Sequence, residues 1–111
     1  MVKKASVEGV LDGMVIIDLT QMLAGPYCTM MLADHGADVI KIEPPEGDMS
    51  RRLGPYADDK DGQNHSGYFH SINRNKRSVV LDLKSAEGVL IFKRLIQKAD
   101  AVVENFREGV M

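Results

Sequence analysis

The apolar positions of the chain fall into short runs separated by stretches at helical spacing. Met14 to Leu19 (MVIIDL) is a β-branched run that stops before Thr20 and a Gly-Pro pair, which suits a strand buried on both faces. In LAGPYCTMMLADHGADV, Gly25 can precede a helix, Pro26 can take its first position, and Gly36 can supply a left-handed stop. Tyr27, Cys28, Met30, Met31, Leu32 and Ala33 leave that helix little polar surface, so other structure is expected to cover it. Val39, Ile40 and Ile42 make a second strand, closed by Pro44 and Pro45.

A strand, a helix and a strand in so short a span predict parallel strands joined by a crossover. From Pro44 to Arg77 the sequence turns to Gly, Pro, Asp, Asn and charge, with only Gly67 to Ile72 suggesting a helical turn. A connection of that length inside a compact domain is expected to be functional or mobile. Ser78 to Leu83 reads as a third strand. Ser85 can cap a helix whose Val89, Phe92, Leu95, Ile96 and Ala99 share a face, and Ala101 to Val103 makes a fourth strand. The fold class is α/β: part of a doubly wound, Rossmann-like parallel sheet with flanking helices. So few strands leave a thin sheet with edges to cover, and the 111 residues read as one incomplete domain.

Composition narrows the functions. The 44% hydrophobic and 27% charged residues are ordinary for a globular protein, which argues against disorder. A net charge of −2 excludes a general nucleic-acid coat, so any bound anion must meet a local basic cluster. Cys28 is the single cysteine, which excludes an internal disulfide and suits a reducing compartment such as the cytoplasm. Lys3 and Lys4 are followed by Glu8 and Asp12, and no apolar stretch approaches membrane-spanning length; neither a signal peptide nor a transmembrane helix is expected.

Neither G-x-G-x-x-G nor G-x-x-x-x-G-K-[ST] occurs, which removes the usual dinucleotide and P-loop readings. His35, His65 and His70 lack metal-ligand spacing, and Cys28 has no histidine at neighbouring helical positions; no metal site is expected, and Cys28 reads as packing. In open α/β sheets ligands bind beyond the carboxyl ends of the strands, which points to Gln21 to Pro26, Glu43 to Pro45, Leu81 to Lys84 and Glu104 to Arg107. The stretch NRNKRSVVLDLK adds Arg74, Lys76, Arg77 and Lys84 around an apolar run. Two readings stand at this point: an anion site, or a set of turns and caps that only solvate the strand ends.

The segments LDGMVIIDLTQMLAGPYCTMMLADHGADVIKIEPPEGDMSR, NRNKRSVVLDLK and ADAVVENFREGVM, in this order and spacing, resemble the N-terminal region of class III CoA-transferases. That family extends to formyl-CoA and carnitine CoA-transferases and to 2-methylacyl-CoA racemase. The resemblance implies a CoA-binding part of a larger domain, in a homodimer whose two full-length subunits interlock. Its substrates would be an acyl-CoA and a small free carboxylic acid, with coenzyme A as substrate and no covalently held cofactor, and with neither nucleic acid nor membrane as partner. Carried over motif by motif, Leu23 and Ala24 would lie near the pantetheine end of CoA. Leu81, Asp82, Leu83 and Lys84 would line the nucleotide pocket, flanked by Asn105, Phe106 and Arg107, and Lys84 would be the closest cation. Lys84, Arg107 and the cluster at 74 to 77 are expected to converge on the carboxyl edge of the sheet.

Two departures mark this chain. Pro44 stands where formyl-CoA transferases carry arginine, leaving Arg51 or Arg52 as replacements, and Gln21 and Leu23 stand where those enzymes have histidine and glutamine. Both argue against formyl-CoA and oxalate as substrates. The family's nucleophilic aspartate, which forms an acyl anhydride and then an aspartyl-CoA thioester, belongs to a segment beyond Met111. Asp18, Asp38, Asp48 and Asp82 do not match it, so no catalytic residue is assigned. The alternatives are a racemase fragment and a free-standing nucleotide-binding module without chemistry.

Overall fold

The computed structural model describes residues 9–58 and 64–110; Lys3, Lys4 and Glu8 of the N-terminal reading lie outside them. Four strands, β1 (Val15–Asp18), β2 (Asp38–Glu43), β5 (Arg77–Val80) and β6 (Ala101–Val103), form a sheet in the order β5-β2-β1-β6. Every pairing is parallel, with Ile17 opposite both Ile40 and Val102. Helix α1 (Ala24–Asp34) joins β1 to β2, and α3 (Ala86–Gln97) joins β5 to β6. The α/β expectation holds. No helix among the described residues is long and apolar enough to cross a membrane.

Because side chains alternate along a strand, each strand serves two cores. Ile17, Leu19, Ile40, Ile42 and Leu81 face α3, where Phe92 and Leu95, with Ala99 just past the helix end, pack on them. Ile16 and Val39 point the other way, onto Ala33 and Ala37 around the end of α1.

The described residues of the long connection after β2 carry regular structure. A 3-10 turn (Met49–Arg52), a hairpin of β3 (Tyr56–Asp58) and β4 (Asn64–Ser66), and α2 (Gly67–Asn73) fill it. Asp48 caps the 3-10 turn through the Ser50 N–H, and Ser66 caps α2 through the Phe69 N–H.

Two local expectations shift. Helix α1 starts at Ala24, so Pro26 sits inside its first turn, where an N–H still has no intrahelical partner. Gly36 does take the left-handed stop, at φ +104°. The third predicted strand ends at Val80, because Asp82 begins a turn; only the Leu81 N–H still reaches the Glu43 carbonyl, at 2.9 Å. On α1, Pro26, Thr29, Met30 and Ala33 form the buried stripe, while Tyr27, Cys28 and Met31 are exposed among the described residues.

Candidate functional site

At the carboxyl edge the four strands open into a cleft of about 360 Å³. Leu19 and Gln21 after β1, Ile42 to Glu46 less Glu43 around the end of β2, Leu81 to Lys84 after β5, and Phe106 after β6 line it. Leu19, Ile42 and Leu81 make a buried apolar floor continuous with the α3 core, and Phe106 packs on the same cluster. The rim is polar, with one ammonium, Lys84, against the carboxyl groups of Glu46 and Asp82.

The turn that carries Lys84 is tightly specified. The Asp82 carboxylate accepts from the Lys84 N–H at 3.0 Å, and the Asp82 carbonyl accepts from the Ser85 hydroxyl at 2.9 Å. Ser85 in turn caps α3 through the Gly88 N–H. Gly88 is required by contact, since a Cβ there would stand 1.9 Å from the Asp82 carbonyl oxygen. The side chain of Lys84 is exposed and has no ion-pair partner among the described residues.

The other three cations of NRNKRSVVLDLK are already committed. Arg74 forms a two-pronged pair with Asp34, Arg77 does the same with Asp38, and both lie toward the amino edge of the sheet. Lys76 is buried, its ammonium donating to the Asp18 carboxylate at 2.8 Å, the Pro26 carbonyl at 3.0 Å and the Asn73 side chain at 2.7 Å. The expectation that the 74 to 77 cluster converges with Lys84 is therefore corrected. In a parallel sheet Arg77 opens its strand and Lys84 follows the strand's end, so the strand itself holds the two apart.

Lys76 belongs to a buried polar network on the α1 face. Asp18 also accepts from the Thr20 N–H and from the hydroxyls of Thr20 and Thr29. Burial acts to raise its carboxyl, but Lys76, Thr20 and Lys41 outweigh it and hold the group below the ordinary carboxylate range. Burial lowers the Lys76 ammonium from its ordinary range, against the pull of Asp18. Lys41 donates to the Thr20 carbonyl and pairs with Asp48, each at 3.0 Å. Glu43 receives both prongs of Arg51 and the Ser78 hydroxyl. Although burial acts to raise Glu43, Arg51, Ser78 and the Asp48 N–H bring it down to about 2. Arg51, offered above as a substitute cation, is thus turned onto Glu43, with its guanidinium 3.7 Å from the Phe69 ring centre.

Of the residues expected at the site, Leu81, Asp82, Leu83, Lys84 and Phe106 are brought together in the cleft. Leu23, Ala24, Asn105 and Arg107 are exposed beside it and do not line it. Gln21, Pro44 and Pro45 were legible as strand-end residues. Leu19, Ile42 and Glu46 were missed; strand alternation would have found the first two, because both share the face of Ile17 and Ile40. Among the described residues no group of acidic, histidine or cysteine side chains could hold a metal ion.

Known proteins share this sequence and fold. Residues 11–111 match the family described as CoA-transferase family III. The chain is 53% identical over 103 residues to a succinyl-CoA:mesaconate CoA-transferase of Haloarcula hispanica, covering 93% of itself and 26% of that protein. It is 51% identical to a succinate–glutarate CoA-transferase of Agrobacterium fabrum and 48% identical to an acetyl-CoA:oxalate CoA-transferase of Acetobacter aceti, covering 90% and 96% of itself and 26% of each. The chain therefore spans about a quarter of the length of these relatives. A crystal structure of a CAIB/BAIF family protein from Brucella suis superposes with a TM-score of 0.87 at 44% identity, over 93% of this chain and 27% of that one.

Proposed function

The chain belongs to CoA-transferase family III, and from that premise we propose that it is the CoA-binding N-terminal part of an enzyme that moves CoA from an acyl-CoA donor to a free carboxylic acid. The observation that carries the reading is the cleft at the carboxyl edge, in which Leu81 to Lys84 and Phe106 meet. Its apolar floor suits the flat face of an adenine or the pantetheine arm, and its Lys84, without an ion-pair partner among the described residues, suits a phosphate. Leu23 and Ala24, at the start of α1, are read as lying near the thioester end, with Arg107 at the flank.

Transfer between two acids calls for a covalent carrier of the acyl group, and a carboxylate nucleophile splits that step into two easier ones. Of the described acidic residues, Asp18, Asp48 and Glu43 are held in ion pairs and Asp82 caps its own turn, which leaves Glu46 on the rim as the uncommitted carboxyl group among those lining the cleft. The nucleophile is read as lying in the remainder of the polypeptide, the protein as cytoplasmic and as a homodimer of interlocked subunits. The relatives' names cite mesaconate, glutarate and oxalate. With an oxalate enzyme at 48% identity, the argument from Pro44 and Leu23 against oxalate loses its force.

The test is to incubate the full-length protein, and separately residues 1–111, with an acyl-CoA donor and a panel of carboxylic acids. New thioesters are followed by mass and α-proton exchange in deuterated water. The reading expects transfer by the full-length protein alone. Proton exchange without transfer would make it a racemase, and transfer by the fragment would mean that the nucleophile lies within these residues.

A further inference from the structure

Strands β1 and β6 part company just where the cleft begins. Their ladder ends with the Leu19 N–H donating to the Val103 carbonyl at 2.9 Å. Two residues further along each chain, the next rung is made by a side chain. The Gln21 N–H donates to Asn105 Oδ1 at 2.9 Å, and Asn105 Nδ2 donates to the Gln21 carbonyl at 2.8 Å. The amide of Asn105 thereby stands in for a strand backbone that has already turned away.

Three further features converge on the same segment. Gly25 leaves room for the amide, since a Cβ there would lie 2.4 Å from Thr20 Cβ and 3.1 Å from Asn105 Nδ2. Met22 adopts φ +72°, a left-handed conformation uncommon for a residue with a side chain, and its carbonyl accepts from the Tyr68 hydroxyl at 3.2 Å. Gln21 lines the cleft, and so does Phe106, the residue that follows Asn105. Breaking the amide bridge would separate two walls of one cleft.

We propose that Asn105 is a positioning residue: its side-chain amide is spent on the backbone of Gln21, closing the wall between the ends of β1 and β6 and holding the Gln21 to Ala24 segment at the mouth of the cleft. The inference rests on the reading of the cleft as a CoA site, and it gives Asn105 a role without contact to the ligand.

The experiment uses the full-length protein and its Asn105→Ala and Asn105→Asp variants, the second keeping the acceptor for the Gln21 N–H and losing the donor. CoA affinity is measured by calorimetric titration. Amide deuterium exchange is followed in peptides covering 19–24, with peptides covering 38–43 as the control. Asn105 is exposed, so both variants should fold with unchanged exchange in the control peptides. The expected result is faster exchange at 19–24 and a Kd for CoA raised about tenfold in Asn105→Ala, consistent with the loss of two ordinary hydrogen bonds. The two variants should rank the same way in exchange and in affinity. Lost affinity with unchanged exchange, or opposite rankings, would mean that the amide meets CoA directly and would overturn the proposal. Faster exchange with unchanged affinity would overturn it from the other side, as a bridge that does not serve the site. A wild-type protein that does not bind CoA would instead defeat the reading of the cleft, and that outcome is visible before any variant is compared.

Discussion

The two faces of the sheet are built from the same strands by opposite means. The face toward α3 is apolar from Ile17 to Leu81 and runs without a break into the floor of the cleft. The face toward α1 buries Asp18, Lys41, Glu43 and Asp48, each in an ion pair. The motif Lys41-Ile42-Glu43 shows the division within three residues: Ile42 lines the cleft, while its neighbours tie down the connections after β1 and β2. One face offers a surface to a ligand. The other fixes the segments that frame it, and its charges are consumed in doing so.

That comparison breaks first at Lys76. Replacing it with Met leaves Asp18 as a buried carboxylate without its closest cation, and such losses cost about 3–5 kcal/mol. Denaturant unfolding of the full-length protein should show a large fall in stability; a loss below about 1 kcal/mol would mean the network is not structural. Acid should attack the same face. Glu43 has its folded pKa lowered from 4.5 to about 2, so the unfolded chain takes up its proton first as pH falls. Its contribution is fully present above pH 4.5 and disappears as pH drops through about 2. A stability profile recorded over that window should flatten in Glu43→Gln, and an unchanged slope would contradict the assignment. The apolar face should respond more gently to a conservative change. Ile17→Val, the loss of one buried methylene, is expected to cost about 0.5–1.5 kcal/mol, read from the same denaturation curves. Smallest of all should be Arg74→Ala and Arg77→Ala, whose exposed, solvent-screened pairs with Asp34 and Asp38 should leave the denaturation midpoint nearly unchanged.

The strands and crossover helices were legible because their signals are local: β-branched runs, Gly36 past the end of α1, Ser85 before α3. The β3–β4 hairpin was not, since its residues are polar and short-ranged in pattern, and its shape depends on Ser66 reaching the carbonyls of Ser50 and Leu53. Five of the nine expected site residues share the cleft because strand ends in a parallel sheet gather at one edge. The misreading of Arg74, Lys76 and Arg77 has a physical cause. Nearness in sequence to Lys84 suggested one cluster, but their partners Asp34, Asp18 and Asp38 are distant in sequence, and only the fold brings them into range. For Asn105, sequence pattern marked a strand end and could not reveal that the amide faces the Gln21 backbone.

Of the four cations around β5, Lys84 alone is available to a ligand. Calorimetric titration of CoA at low salt into the full-length protein, its Lys84→Ala variant and its Arg74→Ala/Arg77→Ala double variant tests this directly. Affinity should be about tenfold weaker for Lys84→Ala, as expected for losing one charge-assisted contact to phosphate, and unchanged for the double variant. Unchanged affinity in Lys84→Ala together with a loss in the double variant would contradict it.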